Sequence, residues 1–510
     1  MFVSLLSFSQ KSKADLFMPM NETLQDRIGV KTTRFAFDFH SSIRPYRIAD
    51  LGISDQFIKK KWNKRPYYSN FNSFDSLNKK YGVMVYPVAD LSGGYELSKP
   101  NKALYGLQAG VGIKGNLSRM FTYDLRYSYN FESGLSSEDS TFRNSGNQLG
   151  IFSYNKNQFH NIDARLNFSP TKEFSMQIGY GKNFIGEGHR SLFLGDHASA
   201  YPFLKLQTRV WKIEYTNLFA WHQEPINAAP NGKMRNKFTS SHYLSYNIFK
   251  GFNLSVFETV IWQAKDTMFN RGYDITYLNP IIFFRPLEYA QGSSDNVILG
   301  AAMSYKFLDK YMFYAQFVLD EFLLKEIKAG NKWWANKFGI QAGFKAYDFA
   351  GVKGLGFRTE FNWVRPFTYA HISNQMSYGH KMQPLAHPMG ANFMELTNRI
   401  SYVNDRWQAS LDINYNAKGY DTSDTLTFGG DVNISYQLRG DDYNHLMLQG
   451  KKVNRLILNG QVSYLLFPEI NLNAALNIGL QNSFFEGNRA SSFYFSVGIR
   501  TGLWNRDRGF

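Results

Sequence analysis

The sequence contains no cysteine, which excludes disulfide bonds and thiolate metal sites. Charged residues are also few, at 19% of 510 residues. No stretch of the chain approaches the roughly 18 consecutive apolar residues of a membrane-spanning helix, so the sequence excludes a helical membrane protein. The mean hydropathy of −0.37 agrees with the lack of such runs.

Aromatic residues are abundant, and apolar and polar residues alternate. The chain has 45 Phe, 32 Tyr and 9 Trp, together 17% of all residues. In the segment 470–480 every even position is apolar and every odd position is small or polar, as in a strand with one apolar and one polar face. Similar segments of about ten residues recur from residue 81 onward, and aromatic girdles are typical of membrane barrels. The sequence therefore predicts an all-β fold, an antiparallel transmembrane β-barrel of about 18 strands.

The connections between the predicted strands alternate between short and long. The long ones fall near 132–157, 184–200, 222–236, 264–294, 323–335, 366–390 and 417–452. Outer-membrane barrels have short periplasmic turns and long extracellular loops, so we expect the bacterial outer membrane, extracellular long loops and a periplasmic N-terminus. An arginine facing lipid at mid-membrane costs roughly 2–4 kcal/mol, which predicts that Arg126, Arg165, Arg209 and Arg358 face the lumen.

The chain ends differ from the barrel pattern. Residues 1–9 resemble the remnant of a signal peptide with a small-x-small cleavage site at Ser7-Phe8-Ser9. Residues 10–80 lack the strand rhythm and are predicted to form a small, partly helical periplasmic extension. Residues 81–510 form the predicted barrel, and the terminal Phe510 fits the aromatic end that is characteristic of such barrels.

Three loop segments break the alternation, and the first, 186–197, contains His189, Arg190 and Asp196. The segment has no Gly-x-Ser-x-Gly nucleophile elbow and no histidine pair at helical spacing beside a glutamate, so no catalytic residue is predicted. We interpret it as a loop folded into the lumen, in which Arg190 and Asp196 pair.

The second segment, 277–289, contains Asn279, Arg285 and Glu288. Its two prolines argue against a continuous strand. Its apolar composition predicts burial, as a short helix that plugs the barrel mouth.

The third segment, 369–393, contains His371, His380 and His387. Three histidines within a short stretch could indicate a metal, but zinc sites usually have closer pairs with a carboxylate or cysteine. We therefore predict a proline-rich packed loop, with no metal and no cofactor.

The chain is basic, with a net charge of +16. One interpretation of this charge is that it keeps the protein soluble and makes the barrel lumen basic. The other is affinity for an anionic partner such as acidic polysaccharide or lipopolysaccharide phosphate. No nucleic-acid recognition motif accompanies the charge, so nucleic acid is not an expected partner.

Together, the motifs Gly188-His189-Arg190-Ser191-Leu192-Phe193-Leu194, Asn279-Pro280 with Arg285-Pro286 and Glu288, and Pro384-Leu385-x-His387-Pro388 resemble the capsule assembly (Wzi-type) outer-membrane family, in its Bacteroidota version. The resemblance covers about residues 80–510. It implies an eighteen-stranded barrel plugged by its own loops, a helical periplasmic addition, and a surface lectin that anchors capsular polysaccharide.

The leading functional hypothesis is therefore a non-enzymatic barrel that binds or organises capsular polysaccharide. Lys332, Trp333 and Trp334 are the candidate saccharide contacts, and the alternative interpretation of the tryptophans is that they are girdle aromatics. The alternatives are a component of surface adhesion, gliding or protein-secretion machinery, and a diffusion channel. Expected partners are outer-membrane lipid, lipopolysaccharide and surface polysaccharide, with other outer-membrane or periplasmic proteins as further candidates.

Overall fold

The computed structural model describes residues 17–34, 39–48, 50–51, 61–62, 65–66, 82–98, 101–118, 120–133, 135, 153–155, 157–225, 233–265, 271–279, 295–423, 425–467 and 470–502. The predicted signal-peptide remnant, Arg285, Glu288 and Phe510 lie outside these residues.

Eighteen antiparallel strands form one closed barrel, as predicted. They are β1 (Gly82–Leu97), β2 (Lys102–Asn116), β3 (Phe121–Glu132), β4 (Gln158–Phe168), β5 (Phe174–Gly181), β6 (Tyr201–Val210), β7 (Ile213–Pro225), β8 (Met234–Phe249), β9 (Phe252–Gln263), β10 (Asn296–Phe307), β11 (Tyr311–Glu321), β12 (Lys337–Tyr347), β13 (Leu355–Val364), β14 (Phe393–Asn404), β15 (Trp407–Tyr420), β16 (Lys451–Phe467), β17 (Leu472–Phe485) and β18 (Asn488–Thr501). Strand β18 closes the barrel on β1, with Val497 opposite Gly93.

The two faces of the wall differ as the alternation predicts. On β18, Phe495 and Val497 are exposed on the outside, whereas Tyr494 and Ser496, which alternate with them, are buried inside. The four arginines predicted to face the lumen are all on the inner face. Each forms an ion pair, Arg126 with Asp124, Arg165 with Asp163, Arg209 with Asp50 and Glu214, and Arg358 with Glu22.

Two aromatic belts ring the outer wall. At the end with short turns, ring pairs with centroids 4.9–5.2 Å apart are Phe249–Phe252, Phe307–Tyr311 and Trp407–Tyr464. At the end with long loops, the pairs are Tyr105–Phe131 at 4.9 Å and Phe338–Trp363 at 5.6 Å. Aromatic residues are enriched where a barrel meets the two membrane–water interfaces, so the belts mark the apolar zone between them.

The short and long connections alternate, as predicted. The turns after β2, β4, β6, β8, β10, β12, β14 and β16 are short and share one end, the short-turn end. The other end, the long-loop end, carries all the long connections, while the connections 98–101 and 486–487 there are short. None of the described helices is long and apolar enough to cross a membrane.

A helix from the N-terminal extension lies inside the barrel, which the sequence did not predict. Helix α1 (Glu22–Thr32) crosses the lumen at the short-turn end, where Arg27 Nη1 donates to the Asp405 carbonyl at 2.9 Å. A Cβ at Gly29 would lie 1.9 Å from the Tyr347 ring, so a glycine is needed for this close approach. A helical segment was predicted and is present. The placement of the extension in the periplasm stays a prediction.

Two long-loop connections fill the lumen beside β6–β14, which confirms the predicted plugging. Connections 182–200 and 365–392 supply Leu192, Phe193, Tyr369 and Leu385, all buried in one apolar cluster with side chains of the wall. The Phe193 ring stacks on Phe257 of β9 at 4.9 Å. This part of the lumen is packed like the core of a soluble protein.

Residues 271–279, the main described part of connection 264–295, lie against the outer wall. Tyr277 packs on Trp262 of β9 at 4.8 Å, and Ser240 Oγ of β8 donates to the Tyr277 carbonyl at 2.7 Å. Trp262 lies on the same face of β9 as the exposed Leu254 and Val256, which identifies that face as the outer one. The prediction that the Asn279 segment plugs the mouth is therefore wrong for its described part. The outer wall supplies the apolar surface that buries it.

Candidate functional site

The predicted loop 186–197 is held inside the lumen by an acidic side chain of the wall. The Glu360 carboxylate of β13 accepts the backbone N–H groups of His189 at 2.8 Å and Arg190 at 3.0 Å. The Tyr314 hydroxyl donates to the same carboxylate at 2.7 Å. His189 and Arg190 thus belong to the plug, as predicted, and their backbone is fixed by charge-assisted hydrogen bonds.

The same loop contacts the N-terminal segment. Ile43 and Arg44 pair with Ile185 and Phe184 as a two-stranded sheet, and Arg44 Nη2 donates to the Gly188 carbonyl at 2.6 Å. Asp196 lies in the loop with intermediate exposure. Its pairing with Arg190 stays a prediction.

Ion pairs attach the N-terminal segment to the wall. Glu22 lies 2.7 Å from Arg358 and 3.3 Å from His189, and Asp26 lies 3.0 Å from Arg399. Around helix α1, the short-turn end of the lumen therefore contains charged groups in pairs of opposite sign. Apolar packing dominates beside β6–β14.

His387 is fully buried at the base of connection 365–392. Its Nδ1 accepts the Met389 N–H at 3.1 Å, so Nε2 carries the proton and donates to Glu395 at 2.8 Å. The ring stacks on Phe393 at 4.3 Å. Burial lowers the pKa of His387, against the opposing effect of the Glu395 carboxylate. A neutral histidine in this position orients the loop.

The other two histidines of that connection are separate from His387. His380 is buried and its Nδ1 accepts the Gln223 N–H of β7 at 3.0 Å. The His371 ring packs edge-on against Tyr436 at 5.6 Å. Across the described residues, no three His, Cys, Asp or Glu side chains group closely enough to hold a metal ion.

The long-loop end carries an aromatic and charged surface built from two connections. Backbone bonds join them, since Trp334 N–H donates to the Asp442 carbonyl at 2.9 Å and His445 N–H to the Lys332 carbonyl at 3.0 Å. We call this area the rim surface. It consists of Lys332, Trp333, Tyr436, Arg439, Asp442 and Tyr443.

The structure corrects the role predicted for Trp334. The Arg439 guanidinium lies 4.0 Å from the centre of the indole, the Tyr436 ring lies 4.7 Å away, and Trp334 is 8% exposed. Because its faces are already in contact with other side chains, Trp334 supports the rim surface and does not offer a free face to a sugar. Trp333 is half-buried and Lys332 is exposed, and the prediction that they contact saccharide stays open.

Comparison with known proteins finds a solved structure with a similar fold but does not identify a family. No protein-family model and no curated protein matches the sequence. The fold is similar to that of Wzi. That Escherichia coli outer-membrane protein, described as a carbohydrate-binding β-barrel involved in group 1 capsule assembly, aligns with a TM-score of 0.59 at 13% identity over 96% of this chain and 100% of its own.

Two Pseudomonas aeruginosa barrels are more distant than Wzi. The outer membrane protein opdK aligns with a TM-score of 0.45 at 8% identity, over 82% of this chain and 98% of its own. OccK2 (OpdF) aligns with a TM-score of 0.45 at 9% identity, over 82% and 98%. At 13% identity, the likeness to Wzi concerns the fold alone.

Sequence reasoning missed the partners that complete the rim surface. Arg439 donates to Asp442 from Nε at 2.8 Å and from Nη2 at 2.6 Å, which fixes the guanidinium over Trp334. The segment 439–445 was available as a signal, because it combines one Arg, two Asp, one Tyr, one Asn and one His. Planar Arg–carboxylate pairs and aromatic rings are groups that recognise polar ligands.

Proposed function

We propose that this chain is a non-enzymatic outer-membrane barrel that binds or organises cell-surface polysaccharide, such as a capsule, on its long-loop end. The rim surface is the observation that carries the proposal. There an exposed lysine, a half-buried tryptophan and an Arg–Asp pair lie together on a rigid base. The long-loop end would face the outside of the cell, as in barrels with short periplasmic turns.

The groups on the rim surface suit an acidic saccharide. Aromatic faces pack against the apolar faces of sugar rings, and Tyr443 is 46% exposed. Lys332 and Arg439 supply positive charge, in a chain whose net charge is +16. The fold similarity to Wzi, which is described as carbohydrate-binding, supports the same proposal.

Binding of the purified full-length barrel to polysaccharide extracted from its own bacterium tests the proposal. We expect saturable binding, and we expect Trp333→Leu and Arg439→Gln to weaken it about tenfold each, the effect of losing a stacking or charge-assisted contact. Arg406→Gln is the matched control, because the Arg406 guanidinium also lies over an aromatic ring, Tyr464 at 5.9 Å, but at the short-turn end. Absence of binding by the wild-type barrel, with intact capsule in a deletion strain, would contradict the proposal.

A diffusion channel is the weaker candidate because helix α1 crosses the lumen at the short-turn end and two connections fill the space beside β6–β14. An open channel would give steady ion conductance in planar bilayers, and the plugged lumen predicts none. A role in adhesion, gliding or secretion would appear as lost colony spreading or lost secretion in a deletion strain with unchanged capsule.

A further inference from the structure

A short helix at the long-loop end, together with the two residues before it, leaves about half the surface of four apolar side chains exposed in the described structure. Helix α2 (Leu324–Ala329) has no buried residue. Phe322, Leu323, Leu324 and Ile327 are 48%, 45%, 54% and 45% exposed. We call these four residues the α2 patch. Contiguous apolar groups on a surface mark a contact with a partner or a membrane.

Hydrogen bonds at both ends fix the segment that carries the α2 patch. Leu323 N–H donates to Asn336 Oδ1 at 3.2 Å, and the helix ends at Gly330, whose φ of 65° a glycine adopts without strain. Beyond it, Asn444 N–H donates to the Asn331 carbonyl at 3.1 Å. The exposure of the patch is therefore a feature of the folded chain.

The α2 patch continues the lipid-facing surface of the barrel. Helix α2 follows β11 directly, and below it the outer wall carries Phe317, 6.1 Å from Phe338, and Trp363, 5.6 Å from Phe338. These rings belong to the aromatic belt of the long-loop end. The patch therefore lies at the height where the apolar layer of a membrane gives way to lipid headgroups.

Positive charge accompanies the α2 patch. Lys325, Lys328 and Lys332 are exposed. Arg365 lies with its guanidinium 5.6 Å from the Phe338 ring of the belt. These four cations lie beside two carboxylates. Glu321 shares Lys337 with Asp320, at 3.2 and 3.3 Å, and Glu326 accepts a hydrogen bond from the neutral Asn331 Nδ2 and keeps its negative charge. An excess of cations therefore surrounds the apolar side chains.

We propose that helix α2 is an interfacial lipid site, in which the α2 patch enters the acyl layer of the outer leaflet and Lys325, Lys328, Lys332 and Arg365 bind phosphate groups of an anionic lipid. Apolar side chains at acyl depth beside lysines at headgroup depth are the pattern of membrane-surface helices. The site shares Lys332 with the rim surface, but the α2 patch, Lys325 and Lys328 lie outside that surface, so variants of these residues test lipid binding separately from polysaccharide binding.

The absence of cysteine allows a direct test in the full-length barrel. Ile327→Cys carries an environment-sensitive thiol probe, and Thr425→Cys, at an exposed position of connection 421–450, is the matched control. In phosphatidylcholine vesicles we expect blue-shifted emission and several-fold weaker quenching by aqueous iodide at residue 327 only. Equal quenching at both positions would overturn the lipid contact.

The phosphate contact is tested separately by titrating the detergent-solubilised barrel with lipopolysaccharide and, in parallel, with phosphatidylglycerol. A lysine near an anionic surface changes affinity about fivefold, so Lys325→Gln with Lys328→Gln should weaken both titrations about 25-fold. Lys172→Gln with Lys353→Gln at the short-turn end should leave them unchanged. Unchanged affinity in the first double variant would overturn the phosphate contact, and weakening with lipopolysaccharide alone would overturn the assignment to a shared phosphate group.

Discussion

The carboxylate of Glu22 lies 2.7 Å from the guanidinium of Arg358, and this ion pair binds helix α1 to the inner wall at β13. Both side chains are nearly buried, at 12% and 11% exposure. Although burial alone would raise it, the pKa of Glu22 lies well below its ordinary value, because Arg358 and His189 stabilise the carboxylate. The plug at the short-turn end is thus attached to the wall by charge.

Glu22→Gln should loosen helix α1. Removing one partner of a buried ion pair leaves the other charge uncompensated and typically costs about 3–5 kcal/mol. We expect trypsin to cleave the folded barrel after Arg27 and Lys31 much faster than in the wild type, as measured by mass spectrometry of a time course. Glu173→Gln, which disrupts the exposed Lys172–Glu173 pair, is the control and should change nothing. An unchanged cleavage pattern in Glu22→Gln would show that α1 is held by other contacts.

Connection 365–392 should be sensitive to acid because burial lowers the pKa of each of its three histidines. The pKa of His371 falls to about 4, through burial and the nearby charge of Lys337, and His380 and His387 are also shifted downward. A histidine whose pKa is lower in the folded state binds a proton more readily when unfolded, so its stabilising effect is complete above pH 6.5 and is lost below it. Each histidine contributes at most about 1.4 kcal/mol per pH unit in that window.

Hydrogen exchange followed by mass spectrometry can measure this effect. Peptides from 365–392 should exchange faster at pH 5 than at pH 7.5 once intrinsic rates are corrected, whereas peptides from β1 to β3 should not. The variant His371→Gln should reduce the pH dependence. Equal protection of the connection at both pH values would contradict the pKa shifts.

The barrel was predictable because the alternation of apolar and polar residues can be read within each strand. Alternation along β18 assigns Phe495 and Ser496 to opposite faces without any knowledge of their neighbours. The internal plug was only partly predictable. The attachment of helix α1 depends on pairs such as Glu22 with Arg358, which are far apart in sequence and leave no periodic signal.

Apolar composition alone did not indicate which surface would bury a segment. The residues around Tyr277 required burial, but the outer wall at Trp262 satisfies that requirement as well as the lumen would. In the same way, two adjacent tryptophans look equivalent in the sequence. The contacts of Arg439 and Tyr436 with Trp334 distinguish it from Trp333.

Arg439→Lys should separate geometry from charge on the rim surface. Lysine keeps the positive charge but loses both the paired hydrogen bonds to Asp442 and the planar contact with Trp334. In the glycan-binding assay we expect a loss of several-fold in affinity, with the salt dependence of binding close to that of the wild type. Arg439→Gln should lower both the affinity for the glycan and the salt dependence of binding. If Arg439→Lys binds as well as the wild type, charge alone accounts for the role of Arg439.

Trp262→Ala should release the connection that is folded against the outer wall. Trp262 is fully buried, packs against Tyr277 at 4.8 Å and Tyr273 at 5.2 Å, and donates from Nε1 to the Gly272 carbonyl at 3.3 Å. Truncating a buried tryptophan to alanine costs about 3–5 kcal/mol. One lost contact, with Phe238 of β8 at 5.6 Å, lies within the wall, but the contacts with Gly272, Tyr273 and Tyr277 join β9 to the connection. Most of the loss should therefore fall on the connection rather than on the barrel.

We therefore expect trypsin to cleave Trp262→Ala after Arg271 while the barrel itself still migrates as a folded species on unheated gels. Trp211→Ala removes a tryptophan that is 73% exposed at the short-turn end, and it should leave Arg271 protected. If Arg271 stays protected in Trp262→Ala, the Arg271–Asp295 pair at 2.7 Å, together with the hydrogen bond from Ser240 to the Tyr277 carbonyl, is sufficient to hold the connection on the wall. If instead the whole barrel unfolds, the outer layer is a structural part of the wall itself.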